Sequence, residues 1–136
     1  MAQAAARAMK KPGGGAIVQT GPMWAERAIG ATPSSAYSAA NAGVHAMVRN
    51  LAVELVSFNI RINAVAPAVV ETPVYATFMS PKQIKKVLPK FNDFHPLGRN
   101  GQPRDVVGVL LFLASNDASW ITSAVPPVDG GVMASR

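Results

Sequence analysis

Alternation constrains this chain more than any single residue does. Ala16-Ile17-Val18-Gln19-Thr20 is a short apolar run placed after Pro12 and Gly13-Gly14-Gly15, as a buried parallel strand would be. From Tyr37 onward, Ala40, Val44, Met47, Val48, Leu51, Ala52 and Leu55 recur at three- and four-residue steps, one face of a long helix ending near Ser57. Ser34 or Ser35, after Pro33, offers a hydroxyl to cap it. Ile60-Arg61-Ile62-Asn63-Ala64-Val65-Ala66 alternates apolar with polar, turns apolar and stops at Pro67, a second strand. Pro103 suits the first turn of a further helix through Leu113, with Val106, Val107, Leu110, Leu111 and Leu113 on its apolar side. The last strand candidate is 124–128, which Pro126 and Pro127 demote to an edge or an irregular strand. Ahead of all these, the alanine-rich residues 1–9 read as helix, ended by Lys10, Lys11 and Pro12. Residues 81–88 read as a short helix, and 21–33 and 92–102 as loops.

The order helix, strand, helix, strand, helix, strand implies an α/β fold with a parallel sheet and right-handed crossovers. At 136 residues the chain is at most one ordinary domain, and no linker is long enough to divide it. A hydrophobic fraction of 49% against 15% charged is too apolar for a disordered chain. The net charge of +6 raises nucleic acid as a partner. Yet Arg7, Lys10, Lys11, Lys82, Lys85, Lys86 and Lys90 are scattered, and no aromatics interleave with them as a stacking surface requires. The expectation is therefore solvated helix faces and no nucleic acid. No apolar run approaches a membrane span, and residues 1–11 lack the apolar centre of a signal peptide. The absence of cysteine fits a reducing cytosol, so a cytoplasmic location is expected. His45 and His95 lie far apart without carboxylates at ligand spacing, so no metal site is expected. His45 falls off the apolar face and reads as facing solvent or a partner subunit, and His95-Pro96 as loop structure.

Five segments carry a resemblance. Ala16-Ile17-Val18, Tyr37-Ser38-Ala39-Ala40, Asn59-Ile60-Arg61-Ile62-Asn63-Ala64-Val65, residues 67–72 and Val128-Asp129-Gly130-Gly131 follow the order and spacing of the short-chain dehydrogenase/reductase family. The chain resembles the C-terminal half of that family from about Met1 to its end. The resemblance implies the C-terminal half of a Rossmann-like, doubly wound parallel sheet with three strands and three main helices. Residues 1–136 would then form one partial domain, without the N-terminal dinucleotide-binding half. It further implies NAD- or NADP-dependent chemistry on small alcohols and carbonyls, and a homo-oligomer formed through the thin helix that begins near Tyr37. The family's glycine-rich loop would lie upstream of Met1, and no G-x-G-x-x-G pattern occurs in this sequence.

The same resemblance assigns residues. Tyr37 takes the place of the proton donor. Asn41 stands where the family has a lysine that holds the nicotinamide ribose and acidifies the tyrosine. Val70, through its backbone, and Thr72, through its hydroxyl, take the places that bind the nicotinamide carboxamide, although Thr72 also suits a cap before Pro73. A tyrosine phenol ordinarily titrates near 10, and a lysine four residues on lies one helical turn away on the same face. At an effective dielectric of about 20, a unit charge ~6 Å away is worth ~3 kcal/mol, about a hundredfold in acidity. Asn41 supplies no such charge. Pro22 takes the place of the family's carbonyl-polarising serine and has neither hydroxyl nor N–H to offer. Thr20 and Ser34 are candidate substitutes. Ala68 and Ser123 replace family glycines, and a positive φ at either would be strained. Met23 and Trp24 either line a substrate pocket or pack in the core.

Two functions are compatible with these residues: an oxidoreductase of this family with its catalysis lost or impaired, or a non-catalytic fragment acting through subunit association. The second reading expects an unpaired strand edge at 16–20 and apolar helix faces.

Overall fold

The computed structural model describes residues 1–28 and 33–135. Along it run α1 (Ala2–Lys10), β1 (Gly15–Thr20), α2 (Ser35–Leu55), β2 (Ile60–Pro67), α3 (Pro81–Val87), α4 (Pro103–Ala114) and β3 (Pro127–Val128), joined by loops and short 3₁₀ turns. The three strands form one sheet in the order β1-β2-β3, and both pairings are parallel. β1 and β2 match from Gly15 opposite Ile60 to Thr20 opposite Val65. The expected alternation therefore holds. Of the expected 21–33 loop, residues 29–32 lie outside the described residues.

β2 separates two environments, because successive side chains on a strand point to opposite faces. Ile60, Ile62 and Ala64 enter a buried cluster with Ile17, with Ala6 of α1, and with Val48, Ala52 and Leu55 of α2. Arg61 and Asn63 point the other way, toward α4. The Arg61 guanidinium donates to the carbonyls of Leu113 (2.8 Å), Ser115 (2.8 Å) and Ile121 (3.3 Å). Asn63, fully buried, donates to the Ile121 carbonyl (3.0 Å) and accepts from the Ala124 N–H (2.9 Å). Carbonyls at a helix C-terminus have no partner within the helix, and a cation there meets the negative end of the helix dipole. Arg61 serves both needs. Helices on both faces of a parallel sheet make this a doubly wound, Rossmann-like arrangement.

β3 is shorter than the expected 124–128 segment. Only Ala66 with Pro127 and Pro67 with Val128 pair in register. Upstream, Ala64 N–H donates to the Ala124 carbonyl (2.9 Å) and Ala66 N–H to the Pro126 carbonyl (3.0 Å). Pro126 and Pro127 have no N–H to return, so the segment accepts bonds without completing a ladder.

Several sequence expectations need correction. Ser34 occupies the N-cap position of α2, but its hydroxyl makes no capping bond. Ala40 and Met47, expected on the inner stripe of α2, face outward. The inward stripe of α4 comprises Val106, Val109, Leu110 and Leu113, whereas Val107 and Leu111 are exposed. That slip of about one residue follows from the 3.6-residue period, which three- and four-residue steps only approximate. Ala68 is not strained, because the non-glycine residues with positive φ among those described are Asn59 and Ser123. The strain falls on Ser123, at φ +68°, held there by its N–H donating to the Ile62 carbonyl at 2.7 Å.

A left-handed conformation costs an ordinary L-residue about 1–2 kcal/mol, of which glycine's extra freedom in the unfolded chain takes back part. Ser123→Gly is expected to stabilise the fold by about 0.5–1 kcal/mol and to raise the melting temperature by roughly 2–4 °C. An unchanged or lower midpoint in thermal denaturation would show that the turn tolerates serine without strain.

Candidate active site

β1 ends at Thr20, and the chain passes through Gly21 and Pro22 into a 3₁₀ turn, Met23–Ala25. Met23 is completely buried and anchors this turn. Trp24 faces the neighbouring cleft, so these two residues divide the packing and lining roles between them. The turn is gripped from α2 by His45. The sequence placed His45 at the surface or at an interface, yet it is 1% exposed. Its Nε2 lies 2.6 Å from the Gly21 carbonyl oxygen and its Nδ1 lies 3.0 Å from the Glu26 carboxylate. Arg49 Nη2 lies 3.5 Å from the same carboxylate oxygen. A Cβ at position 21 would come within 2.6 Å of the imidazole ring, so the close approach requires glycine there. Both partners of His45 are acceptors, and a neutral imidazole donates from only one nitrogen. A polar side chain is tolerated on the inner stripe because the adjoining turn supplies its partners.

Tyr37 opens α2 at the mouth of a cleft of ≈ 440 Å³, whose lining includes Pro22, Ser34, Ala68, Val69 and Tyr75. The structure thus brings Pro22 beside Tyr37, where the sequence placed it. Of the two substitute hydroxyls, Ser34 reaches the cleft, and Thr20 is not among its lining residues. The Tyr37 side is 54% exposed, and partial burial holds its phenol above the ordinary value of 10. Burial alone accounts for that direction; no cation counters it among the described residues. Asn41 does not assist. Its Nδ2 donates to the Tyr37 backbone carbonyl one turn back, at 2.8 Å, so the amide is turned onto the helix and not toward the phenol.

The strand-end segment is pinned from the far side. Val70 forms a parallel bridge with Gly101. Gly101 N–H donates to the Val69 carbonyl and Glu71 N–H to the Gly101 carbonyl, both at 2.9 Å. The Glu71 carboxylate accepts from Asn100 Nδ2 and Gln102 Nε2, both at 3.0 Å. Those two side-chain bonds hold it below its usual titration range. The bridge uses the backbone of Val69 and Glu71, and Val70's own N–H and C=O take no partner among the described residues. Thr72 precedes the 3₁₀ turn Pro73–Thr77 at its N-cap position without capping it through its hydroxyl. Asn41, Val70 and Thr72 do not line the Tyr37 cleft; Ala68 and Val69 connect that cleft to the Val70 backbone. The sequence missed Tyr75, Phe78 and Phe91, which complete the cleft wall. Their signal was an aromatic cluster in the loop and short helix that follow Pro67.

Residues 1–133 match a family model described as enoyl-(acyl carrier protein) reductase. The chain belongs to the short-chain dehydrogenase/reductase family. Levodione reductase of Leifsonia aquatica is 37% identical over 126 residues, which cover 90% of this chain and 46% of that enzyme. A short-chain type dehydrogenase/reductase from Mycobacterium marinum superposes with a TM-score of 0.87 at 32% identity, covering 98% of this chain and 51% of that one. A 7α-hydroxysteroid dehydrogenase complexed with NADH and 7-oxo glycochenodeoxycholic acid superposes with a TM-score of 0.79 at 34% identity, covering 95% and 48%. The chain spans about half the length of the relatives it matches.

In this short-chain dehydrogenase/reductase chain, the Arg99–Asp105 pair secures the turn that carries Gly101. Arg99 donates to both Asp105 oxygens, at 2.6 and 3.0 Å, and Gln102 N–H donates to the same carboxylate at 2.7 Å. Hydrogen bonding from Arg99, then from the Gln102 backbone, lowers the Asp105 carboxyl from 3.8 to about 2.

Two outcomes follow from these titrations. A depressed carboxylate pKa contributes stability that is complete above the unfolded value and is lost as pH falls through the folded one. Asp105→Asn should therefore lower stability at neutral pH and flatten the acid-unfolding curve between 3.8 and about 2. An unaltered acid limb in circular dichroism would exclude the role. Asn41→Lys should bring the Tyr37 phenol down, by about tenfold in acidity after water screening at this exposed site. Phenolate difference absorbance in an alkaline titration reads it directly, with Tyr37→Phe identifying the signal.

Proposed function

We propose that this chain carries the substrate-facing side of an NAD(P)-dependent alcohol/carbonyl oxidoreductase site in which acid catalysis is disabled. One observation carries the reading. Asn41, at the position where the family's lysine would acidify the phenol, is bonded to the Tyr37 backbone carbonyl at 2.8 Å. Tyr37 is accordingly left above its ordinary pKa by burial, although a general acid works best near the operating pH. Pro22 adds to the loss, since it borders the cleft with no group to donate to a carbonyl. Ser34, on the same cleft, offers a hydroxyl that would substitute for it in part.

The cofactor end is better preserved. The Val70 N–H and C=O are unused among the described residues, so they suit a carboxamide, which offers one donor and one acceptor. Thr72 lies two residues on with its hydroxyl uncommitted to capping. A bound nicotinamide would supply the hydride. The chain's own residues would orient it at Val70 and Thr72, with Asn41 facing the ribose, and would hold the substrate oxygen at Tyr37. The oxidoreductase relatives support this assignment, and the NADH of the steroid dehydrogenase complex supports a nicotinamide cofactor. Residues 1–136 are read as one partial domain of such an enzyme. The cysteine-free composition supports a cytoplasmic location, and among the described residues no helix is long and apolar enough to cross a membrane.

A second reading, association without catalysis, is favoured by the outer surface. β1 pairs only with β2 among the described residues, and Met47 and Val53 of α2 are exposed. A homo-oligomer through α2 would cover them.

The purified chain is expected to reduce small ketones with neither NADH nor NADPH at a measurable rate. A clear dinucleotide-binding isotherm together with turnover that disappears in Tyr37→Phe would overturn this reading. Under the association reading, sedimentation should give a species larger than the monomer.

A further inference from the structure

The cleft beside Tyr37 has a composition that restricts what it can hold. Trp24, Tyr37, Tyr75, Phe78 and Phe91 place five aromatic rings on it, and Met79 joins them. Tyr75 and Phe78 pack edge to face, with ring centroids 5.9 Å apart and planes at 64°, which fixes that wall. Among the described residues its lining contains no carboxylate, ammonium or guanidinium group. Among the same residues its side-chain polar groups are the hydroxyls of Ser34, Tyr37 and Tyr75 and the indole N–H of Trp24. The Tyr75 phenol is raised above its ordinary value, first by burial, then by the proximity of Tyr37 and of Glu71. Both phenols belong to the lining of this one cleft.

Such a site disfavours ionic ligands, since a buried charge without a partner is costly. It favours a ligand whose apolar surface is large and rigid, because ring faces stack on aromatic walls and a ring system loses little rotational freedom on binding. It requires of that ligand an oxygen, so that the phenols keep a hydrogen-bond partner when water leaves. We propose that this cleft binds a neutral cyclic ketone or secondary alcohol with its oxygen held between the Tyr37 and Tyr75 hydroxyls, and that binding does not depend on turnover. Tyr75 is then a positioning residue that selects the ligand by its oxygen. The inference rests on the reading of the Tyr37 cleft as the substrate side of the site. It does not rest on the loss of catalysis.

The test needs no dinucleotide, so it is separate from the assay for turnover. The chain has two tryptophans; Trp120 is 96% exposed and lines a different surface. Trp120→Phe therefore leaves Trp24 as the reporter of the cleft. Titration with decalone, a neutral bicyclic ketone, should quench this fluorescence saturably. A linear ketone of equal carbon number should bind about tenfold more weakly and a naphthoate anion not measurably. Tyr75→Phe should weaken decalone binding about fivefold, the loss of one hydrogen bond. Phe78, 64% exposed at the lip of the cleft, provides a variant whose folding is not at stake: Phe78→Asp should reduce decalone binding at least tenfold. Circular dichroism confirms that each variant is folded. No saturable quenching in the folded Trp120→Phe chain would overturn the proposal. Equal affinity for the linear ketone would replace it with an acyl-chain site, and unchanged binding in both Tyr75→Phe and Phe78→Asp would place the ligand elsewhere. Saturable binding with no hydride transfer supports it, and turnover by the chain would refute only the loss of catalysis.

Discussion

The structure depends on β2 being two things at once. Toward α1 and α2 it presents Ile60, Ile62 and Ala64, fully or almost fully buried, which unite both helices with the sheet. Toward α4 it presents Arg61 and Asn63, whose bonds satisfy the carbonyls at the end of that helix and the backbone that leads into β3. An apolar pair of residues in place of Arg61 and Asn63 would bury comparable surface and leave those backbone groups without partners, a loss of about 1–3 kcal/mol for each orphaned group. Everything that reaches the site is hung from this strand. Its parallel partner β1 delivers Pro22 and Trp24, and its own end delivers Ala68 and Val69.

The scaffold was legible because two periodicities dominate it. Alternation at Ile60, Ile62 and Ala64 and three- and four-residue steps at Val48, Ala52 and Leu55 are properties of the chain alone, and both survive in the buried cluster. The errors arose where a partner distant in sequence changed the rules. The sequence read His45 as off the apolar face, yet it lies three residues before Val48 and is buried with it. The Gly21 carbonyl and Glu26 carboxylate, 24 and 19 residues away, make burial acceptable. Both glycine replacements carried the same risk of strain, yet only Ser123 has a positive φ. The deciding factor was the bond to Ile62 from the neighbouring strand, which no local pattern reports. At the site, the motifs placed Tyr37 and Pro22 together, whereas the aromatic wall of Tyr75, Phe78 and Phe91 comes from two separate 3₁₀ turns.

In the proposed reading, the site combines a retained shape with a weakened chemistry. The chain matches its family over residues 1–133, and in that reading the groups that would tune the phenol are an amide and a proline. An asparagine inside a helix readily bonds the carbonyl four residues back. Once Asn41 does so, it reinforces the helix at the expense of the side chain it would otherwise serve.

The Arg61 bonds also say something about how the chain finds its fold. They join residues separated by 52, 54 and 60 positions, and Asn63 reaches 58 and 61 positions onward. Local helices form in microseconds or less, but contacts of such separation require closure of long loops before they return any energy. α4 can form early from its own sequence. Its docking, and with it the capture of β3, must wait until β2 is aligned on β1. Folding of this chain is accordingly tied to its central strand, because the C-terminal segment gains these partners only once β2 is in place.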